Sequence, residues 1–211
     1  MNEPIFPQTL PVNTTKLTEL LTQKNPSFLR EFYLSGGTAL ALQIGHRQSE
    51  DLDFFCAQVF APSKLEQELL ALGSLQNTQL APGTLNSYLN GVKLQFLHYP
   101  YPLLKTNESW NNISLSSVAD IACTKMQTVA ARGNKKDFID LYFLLQHFSL
   151  TELFELVSKK YTDTNYDQTH ILKSLAYFAD AEDQPMPRMI KPISWEEVKS
   201  GLITQIKHFQ F

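Results

Sequence analysis

A stretch of 21 residues, from Ser35 to Phe55, constrains the fold more than any other part of the chain. It reads SGGTALALQIGHRQSEDLDFF and contains two adjacent glycines, an apolar run and a D-x-D pair. The apolar run has the pattern of a short helix, and the segment 51–57 (DLDFFCA) has that of an apolar strand. The stretch therefore predicts a glycine turn at Gly36-Gly37, then a helix, then a strand that carries two carboxylates.

The D-x-D pair predicts a metal site. Side chains alternate across a strand, so Asp51 and Asp53 share one face while Leu52 and Phe54 share the other. Two carboxylates roughly 6 to 7 Å apart repel each other, and burying them is costly unless a cation lies between them. Mg²⁺ is usually bound by one or two carboxylates together with substrate phosphates. We therefore expect Asp51 and Asp53 to bind Mg²⁺ when a nucleotide is present.

The glycine pair predicts a phosphate site beside the metal. Gly36 and Gly37 lack a Cβ, so their backbone can approach a phosphate, and the helix predicted over 38–45 offers free N–H groups and the positive end of its dipole. Either feature alone is common, because D-x-D pairs occur by chance and Gly-Gly often marks only a tight turn. Their order and proximity are more specific. The sequence has neither G-x-x-x-x-G-K-[ST] nor G-x-G-x-x-G, which excludes a P-loop and a dinucleotide fold.

The remaining pattern predicts an α+β fold, in which a mixed β-sheet with flanking helices precedes a helical half. Short β segments follow the second predicted helix, and Asn90-Gly91 is typical of a two-residue hairpin turn. We expect an α/β core over 1–113 and a helical region over 114–211 that packs on the core and completes the active-site cleft. The predicted strands are 31–36, 51–57, 75–80, 84–91 and 92–100. The predicted helices are 16–23 (capped by Asn13 or Thr14), 38–45, 63–73, 117–133, 135–148, 150–161, 167–182 and 194–209, with a proline-rich linker or lid at 181–192.

Composition excludes several classes of protein. The chain has 211 residues, 43% of them hydrophobic and 18% charged, which predicts one substantial core. It shows no secretory leader and no apolar run near the roughly 20 residues that cross a bilayer, so we expect a cytoplasmic protein without a membrane partner. Cys56 and Cys123 lie in apolar segments and indicate reduced core thiols. The five histidines lack zinc-ligand spacing, so any metal should be oxygen-bound.

Charge gives little guidance about a nucleic-acid partner. The formal net charge of −3 produces no global field that would attract a polyanion. Arg132, Lys135 and Lys136 form a local basic cluster in ARGNKKD, which is either a binding patch or a solvated turn between helices.

Two motifs together resemble a known family. YLSGGTALALQIGHRQSEDLDFF and KMQTVAARGNKKDFIDLYFLL, in this order, are similar to the AbiEii/AbiGii toxin nucleotidyltransferases of the DNA polymerase β-like superfamily. The resemblance spans 33–145. It implies a phosphate turn, the R-x-S/T-x-D-x-D motif with its metal pair, and a lysine and an acid in the second motif. The phosphate turn would be Gly36, Gly37 and Thr38. The R-x-S/T-x-D-x-D motif would contain Arg47, Ser49 and the metal pair Asp51 and Asp53. The second motif would supply Lys125 and Asp137.

The second motif leaves alternatives open. Lys125 and Arg132 are two helical turns apart and share a face, which would suit phosphate or RNA. Asp137 and Asp140 also share a face, but capping or charge pairing is an alternative explanation for Asp137 near a helix N-terminus. Many superfamily members carry a third carboxylate on a later strand, and Gln95 is the corresponding position here. An amide cannot activate a hydroxyl, so Asp137 or Asp140 assumes part of that role, two carboxylates suffice, or activity is lost.

The leading hypothesis is an Mg²⁺-dependent enzyme that transfers a nucleotidyl group from an NTP to an acceptor, RNA and in particular tRNA. The resemblance implies the toxin of a toxin–antitoxin or abortive phage infection system, with a cognate antitoxin protein as partner. The alternative is an inactive nucleotide-binding or protein-interaction module. A nuclease would share the acidic site but leaves the Gly-Gly turn unexplained.

Overall fold

A computed structural model describes residues 4–162 and 167–209. It divides into two compact units. The N-terminal unit comprises 1–102 and 106–117, and the C-terminal unit comprises 103–105 and 118–211. The predicted boundary at 113 falls within a strand, Ile113–Leu115.

The N-terminal unit is a seven-stranded mixed sheet with helices. Its helices are α1 (Val12–Lys24), α2 (Gly36–Ile44) and α3 (Pro62–Leu70). Its strands are β1 (Tyr33–Ser35), β2 (Leu52–Cys56), β3 (Leu75–Ala81), β4 (Thr84–Leu89), β5 (Val92–His98), β6 (Glu108–Trp110) and β7 (Ile113–Leu115). The strand order is β3-β4-β5-β2-β1-β7-β6. Strand β2 is antiparallel to β1 and parallel to β5.

The two faces of the central strands differ, because aromatic side chains pack on one face and Asp53 lies on the other. Phe54 of β2 and Phe96 of β5 are register partners and stack at 5.0 Å between ring centroids. Phe28 and Phe32 pack edge-on against Phe96. Because neighbouring residues of a strand point to opposite faces, this aromatic cluster places Asp53 on the other face of the sheet.

The C-terminal unit is helical. It contains α4 (Val118–Arg132), α5 (Lys135–Leu144), α6 (Leu150–Lys160), α7 (Gln168–Leu175), α8 (Ala179–Glu182) and α9 (Trp195–His208). Inside it, the buried Lys160 lies 2.7 Å from Asp120, whose carboxylate also accepts the backbone N–H groups of Leu104 and Lys105. These bonds satisfy a buried charge that would otherwise be costly.

The α+β fold class is confirmed, and so are the hairpin and the reduced thiols. Asn90 and Gly91 have φ values of 52° and 81°, as a two-residue hairpin turn requires. Cys56 and Cys123 are free and buried. Burial raises the pKa of Cys123 to about 12, which keeps this thiol protonated and unreactive.

Several local predictions were wrong. Helix α1 begins at Val12 after Pro11, and Thr14 donates its hydroxyl hydrogen bond to the carbonyl of Glu50 instead of capping the helix. The helix predicted over 167–182 is interrupted between α7 and α8. Strands β6 and β7 were missed because each has only three residues, too few for an alternating pattern.

Candidate active site

The glycine turn and the D-x-D strand meet at Gly36 and Asp53. Ser35, the last residue of β1, is the register partner of Asp53 on β2. Gly36 follows with φ +65°, and a Cβ added to it would overlap Oδ2 of Asp53. Both the positive φ and the close approach exclude a side chain at this position. The carboxylate of Asp53 therefore lies directly against the first residue of α2.

Because Gly37 lacks a side chain, Arg47 and Ser49, which precede the D-x-D pair, can lie close to its backbone. A Cβ on Gly37 would lie 2.5 Å from Nη2 of Arg47 and 3.3 Å from Oγ of Ser49. Arg47 is only 3% exposed, and its Nη1 donates a hydrogen bond of 2.9 Å to the carbonyl of Gln48. A buried guanidinium at the start of a helix gives that helix end additional positive charge.

Thr38 connects the helix start to the D-x-D segment. Its buried hydroxyl lies 2.9 Å from Oγ of Ser49 and donates to the backbone carbonyl of Asp51. Ser35, the N-cap residue of α2, forms no capping bond and instead bonds Ser116 at 2.9 Å. The structure thus brings Gly36, Gly37 and Thr38 together with Arg47, Ser49, Asp51 and Asp53, all within the N-terminal unit.

Lys93 is a site residue that the sequence analysis missed. Its Nζ lies 3.7 Å from Oδ2 of Asp51, and both side chains are part-exposed, at 47% and 30%. Lys93 could have been found from the alternation of β5 (VKLQFLH), which places it on the same face as Gln95. An exposed pair at this distance contributes little to stability.

Gln95 lies beside the carboxylate pair. Strands β2 and β5 are parallel, with Asp53 and Gln95 as register partners. An amide therefore stands next to Asp53 in the sheet, where it can accept or donate a hydrogen bond but cannot remove a proton.

The donor set fits Mg²⁺. Across 4–162 and 167–209, no three or more His, Cys, Asp or Glu side chains form a group that would enclose a metal ion. Asp51 and Asp53 offer two carboxylates, and Mg²⁺ characteristically takes one or two from a protein and completes its shell with water and phosphate oxygens. Because Gly36 lacks a Cβ, the carboxylate of Asp53 can lie against the helix start.

In the C-terminal unit, Lys125 is buried in an ion-pair network. It is 4% exposed, and its Nζ lies 2.8 Å from Oδ1 of Asp137 and 2.6 Å from Oδ2 of Asp140. Arg132, with 51% of its side chain exposed, donates to both oxygens of Asp137 at 2.8 and 3.2 Å. This network joins α4 to α5 and matches the charge-pairing alternative for Asp137; phosphate contacts by Lys125 and Arg132 stay predictions.

Electrostatics favour the ionised form of Asp137. Burial raises the pKa of this carboxyl, but the charges and hydrogen bonds of Lys125 and Arg132 together lower it below its ordinary value. Asp137 is therefore ionised at neutral pH.

The segment ARGNKKD exposes fewer basic side chains than its sequence suggested. Lys135 is 5% exposed, its Nζ donates to the carbonyl of Glu182 at 2.9 Å and it lies 5.1 Å from the ring centroid of Trp195. Only Arg132 and Lys136 of the three basic residues remain exposed. None of the helices in the described ranges has the length and apolarity to cross a membrane.

Comparisons with known proteins identify the family of the chain. The family model described as "Nucleotidyl transferase AbiEii toxin, Type IV TA system" matches residues 19–85 and 94–208. A protein of Aquifex aeolicus described only as "Uncharacterized protein aq_aa25" is 39% identical over 185 residues, covering 85% of this chain and 88% of that protein.

Two Helicobacter pylori crystal structures share the fold. One, assigned to the nucleotidyltransferases, superposes with a TM-score of 0.57 at 20% identity, covering 93% of this chain and 92% of that one. The other, JHP933, has a TM-score of 0.56 at 19% identity, covering 96% and 92%.

Proposed function

Because the chain belongs to the AbiEii nucleotidyltransferase toxin family, we propose that it transfers a nucleoside monophosphate from an NTP to RNA, with Mg²⁺ held by Asp51 and Asp53. The observation that carries the proposal is the contact of Asp53 with Gly36, which places a carboxylate at the N-terminus of α2, the end of a helix that favours phosphate.

The residues of the N-terminal unit suit binding of a triphosphate. The N–H groups at the start of α2 have no side-chain cap from Ser35, and the buried Arg47 lies beside Gly37. Phosphate oxygens would accept hydrogen bonds from these N–H groups and are attracted to the guanidinium. The hydroxyl contact between Thr38 and Ser49 holds the start of α2 against the segment that leads to the D-x-D pair. The chain therefore provides positive potential and a fixed turn at one place.

The chemical step needs little covalent participation by the protein. The acceptor hydroxyl oxygen bonds to the α-phosphorus, and the bond between that phosphorus and the oxygen that bridges the α- and β-phosphates breaks. Pyrophosphate leaves with the electron pair of the broken bond, and the hydroxyl proton passes to solvent. Mg²⁺ bound at Asp51 and Asp53 would neutralise charge that develops on the phosphates and favour ionisation of the hydroxyl. Gln95 would orient a hydroxyl or water by hydrogen bonding without accepting its proton.

The family also suggests a cellular role and a location. We propose that the protein is the toxin of a toxin–antitoxin or abortive phage infection pair and acts in the cytoplasm, where NTPs and tRNA are present. A separately encoded antitoxin would then limit its activity. Binding of nucleotide phosphate by Lys125 and Arg132 and a catalytic role of Asp137 belong to the same proposal.

Labelling tests the activity directly. Purified protein is incubated with each α-³²P-labelled NTP, Mg²⁺ and total RNA, and Asp53→Asn serves as the matched inactive variant. We expect label in RNA with the wild type and at least a hundredfold less with the variant, since a metal ligand is lost. Label in no RNA with any NTP would contradict the proposal.

Gln95 beside Asp53 favours one second candidate, a nucleotide-binding module without turnover. Calorimetry separates the two. Mg²⁺-dependent NTP binding without transfer supports the module, whereas transfer supports the enzyme.

A further inference from the structure

A pocket of about 360 Å³ lies beside Asp51 in the N-terminal unit. The start of α1 forms one wall with Asn13 and Thr14, and the β4–β5 hairpin forms another with Tyr88 and Lys93. None of Gly36, Gly37 or Asp53 is among its lining residues. The pocket therefore touches the metal pair only through Asp51.

We propose that this pocket binds the terminal nucleoside of the RNA acceptor. The inference rests on the proposed function and adds where the acceptor lies and which side chains select it. Pockets for small ligands have volumes of roughly 300 to 1,000 Å³, so this one takes a single nucleoside and leaves the rest of an RNA outside.

The position of the pocket follows the geometry of the reaction. In an in-line displacement, the attacking and leaving oxygens lie on opposite sides of the phosphorus. The helix start at Gly36 and Gly37, with Arg47, suits the phosphates that leave as pyrophosphate. A pocket that reaches Asp51 and excludes those glycines is placed to deliver the attacking hydroxyl from the other side.

The lining side chains suit a nucleoside. Tyr88 is 38% exposed and offers an aromatic face on which a base can stack. Asn13 and Glu50 are exposed, and their amide and carboxylate match the donors and acceptors of a base edge or ribose. Lys93 is the register partner of Tyr88, so the two side chains share a face of the hairpin. Its ammonium is placed to pair with the phosphodiester of the stacked nucleotide.

The experiment measures binding of RNA and NTP separately. Fluorescence anisotropy with a short, 5′-labelled single-stranded RNA reports acceptor binding without NTP, and calorimetry reports NTP binding without RNA. The variants are Tyr88→Ala, Tyr88→Phe, which retains the ring, and Tyr177→Ala, an exposed tyrosine that does not line the pocket.

We expect Tyr88→Ala to bind RNA about tenfold more weakly, the effect of losing one base-stacking contact, with unchanged NTP affinity. Tyr88→Phe and Tyr177→Ala should match the wild type. In transfer assays, Tyr88→Ala should raise the KM for RNA and leave the KM for NTP unchanged.

Two results would overturn the proposal: RNA binding that survives Tyr88→Ala, or an equal loss of NTP affinity. Failure of the proposed function is distinguishable from these. Tyr88-dependent RNA binding without transfer contradicts only the activity, whereas transfer that ignores Tyr88 contradicts only the location of the acceptor.

Discussion

Gly36→Ala tests whether the contact between the helix start and Asp53 is required for nucleotidyl transfer. Gly36 has φ +65°, and an alanine there places a methyl carbon in the space now taken by Oδ2 of Asp53. The Asp53 carboxylate must move to relieve this overlap, because the backbone at residue 36 fixes the position of the methyl carbon. The substitution therefore strains the backbone and displaces the carboxylate that we propose as a metal ligand.

The two effects have different magnitudes. A left-handed conformation costs an L-residue roughly 1 to 2 kcal/mol, and each kcal/mol lowers the melting temperature by about 2 to 4 °C in a chain of this size. Displacement of a reacting group by about 1 Å can cost on the order of 100-fold in rate. We expect a melting temperature lower by roughly 2 to 8 °C and a kcat/KM at least about 100-fold lower.

Gly133→Ala is the matched control for backbone strain. Gly133 also has a positive φ, +53°, but an added Cβ there would meet its nearest neighbour, Phe138, at an ordinary 3.6 Å. Thermal unfolding followed by circular dichroism, with transfer assayed in the folded temperature range, compares the two variants. Equal losses of activity in both, or full activity in Gly36→Ala, would refute the reasoning.

Three further predictions concern the ion-pair network and the toxin role. Lys125→Ala leaves Asp137 and Asp140 without their buried cation and should destabilise the fold by about 3 to 5 kcal/mol in urea unfolding, against less than about 0.5 kcal/mol for the exposed Lys136→Ala. A loss of NTP affinity in the folded variant would show that Lys125 also binds phosphate, whereas unchanged stability would contradict its role in the ion-pair network. Lys125 and Arg132 hold the pKa of the Asp137 carboxyl below its ordinary value, so its stabilising contribution is present above that ordinary value and is lost as the pH falls through the lowered pKa. In Asp137→Asn, the urea unfolding midpoint should fall less steeply as the pH is lowered than in the wild type. The same acid dependence in both proteins would contradict this role of Asp137. In a bacterial host, the wild type should slow growth more than Asp51→Ala at matched protein levels; equal growth would leave the toxin role unsupported.

The sequence predicted features that depend on neighbouring residues. Gly36 and Gly37 before an apolar run indicated a turn into a helix, and alternation around Asp53 placed a carboxylate on the face opposite Phe54, as the structure shows. The hairpin at Asn90-Gly91 was equally local, since both residues tolerate positive φ. The family resemblance, not a local pattern, indicated Gln95 as the position of a third carboxylate, and its register with Asp53 came from the structure.

Contacts between distant segments were decided only by the tertiary structure. No local pattern indicates that β7 pairs with β1, that Lys125 lies between Asp137 and Asp140, or that Asn13 and Tyr88 line the same pocket. Periodicity shows which face of an element is apolar but not which partner covers it. Sheet order, the neutralisation of a buried lysine and the shape of a pocket are settled by packing of the whole unit, where long-range contacts and the cost of unpaired buried charge select one arrangement.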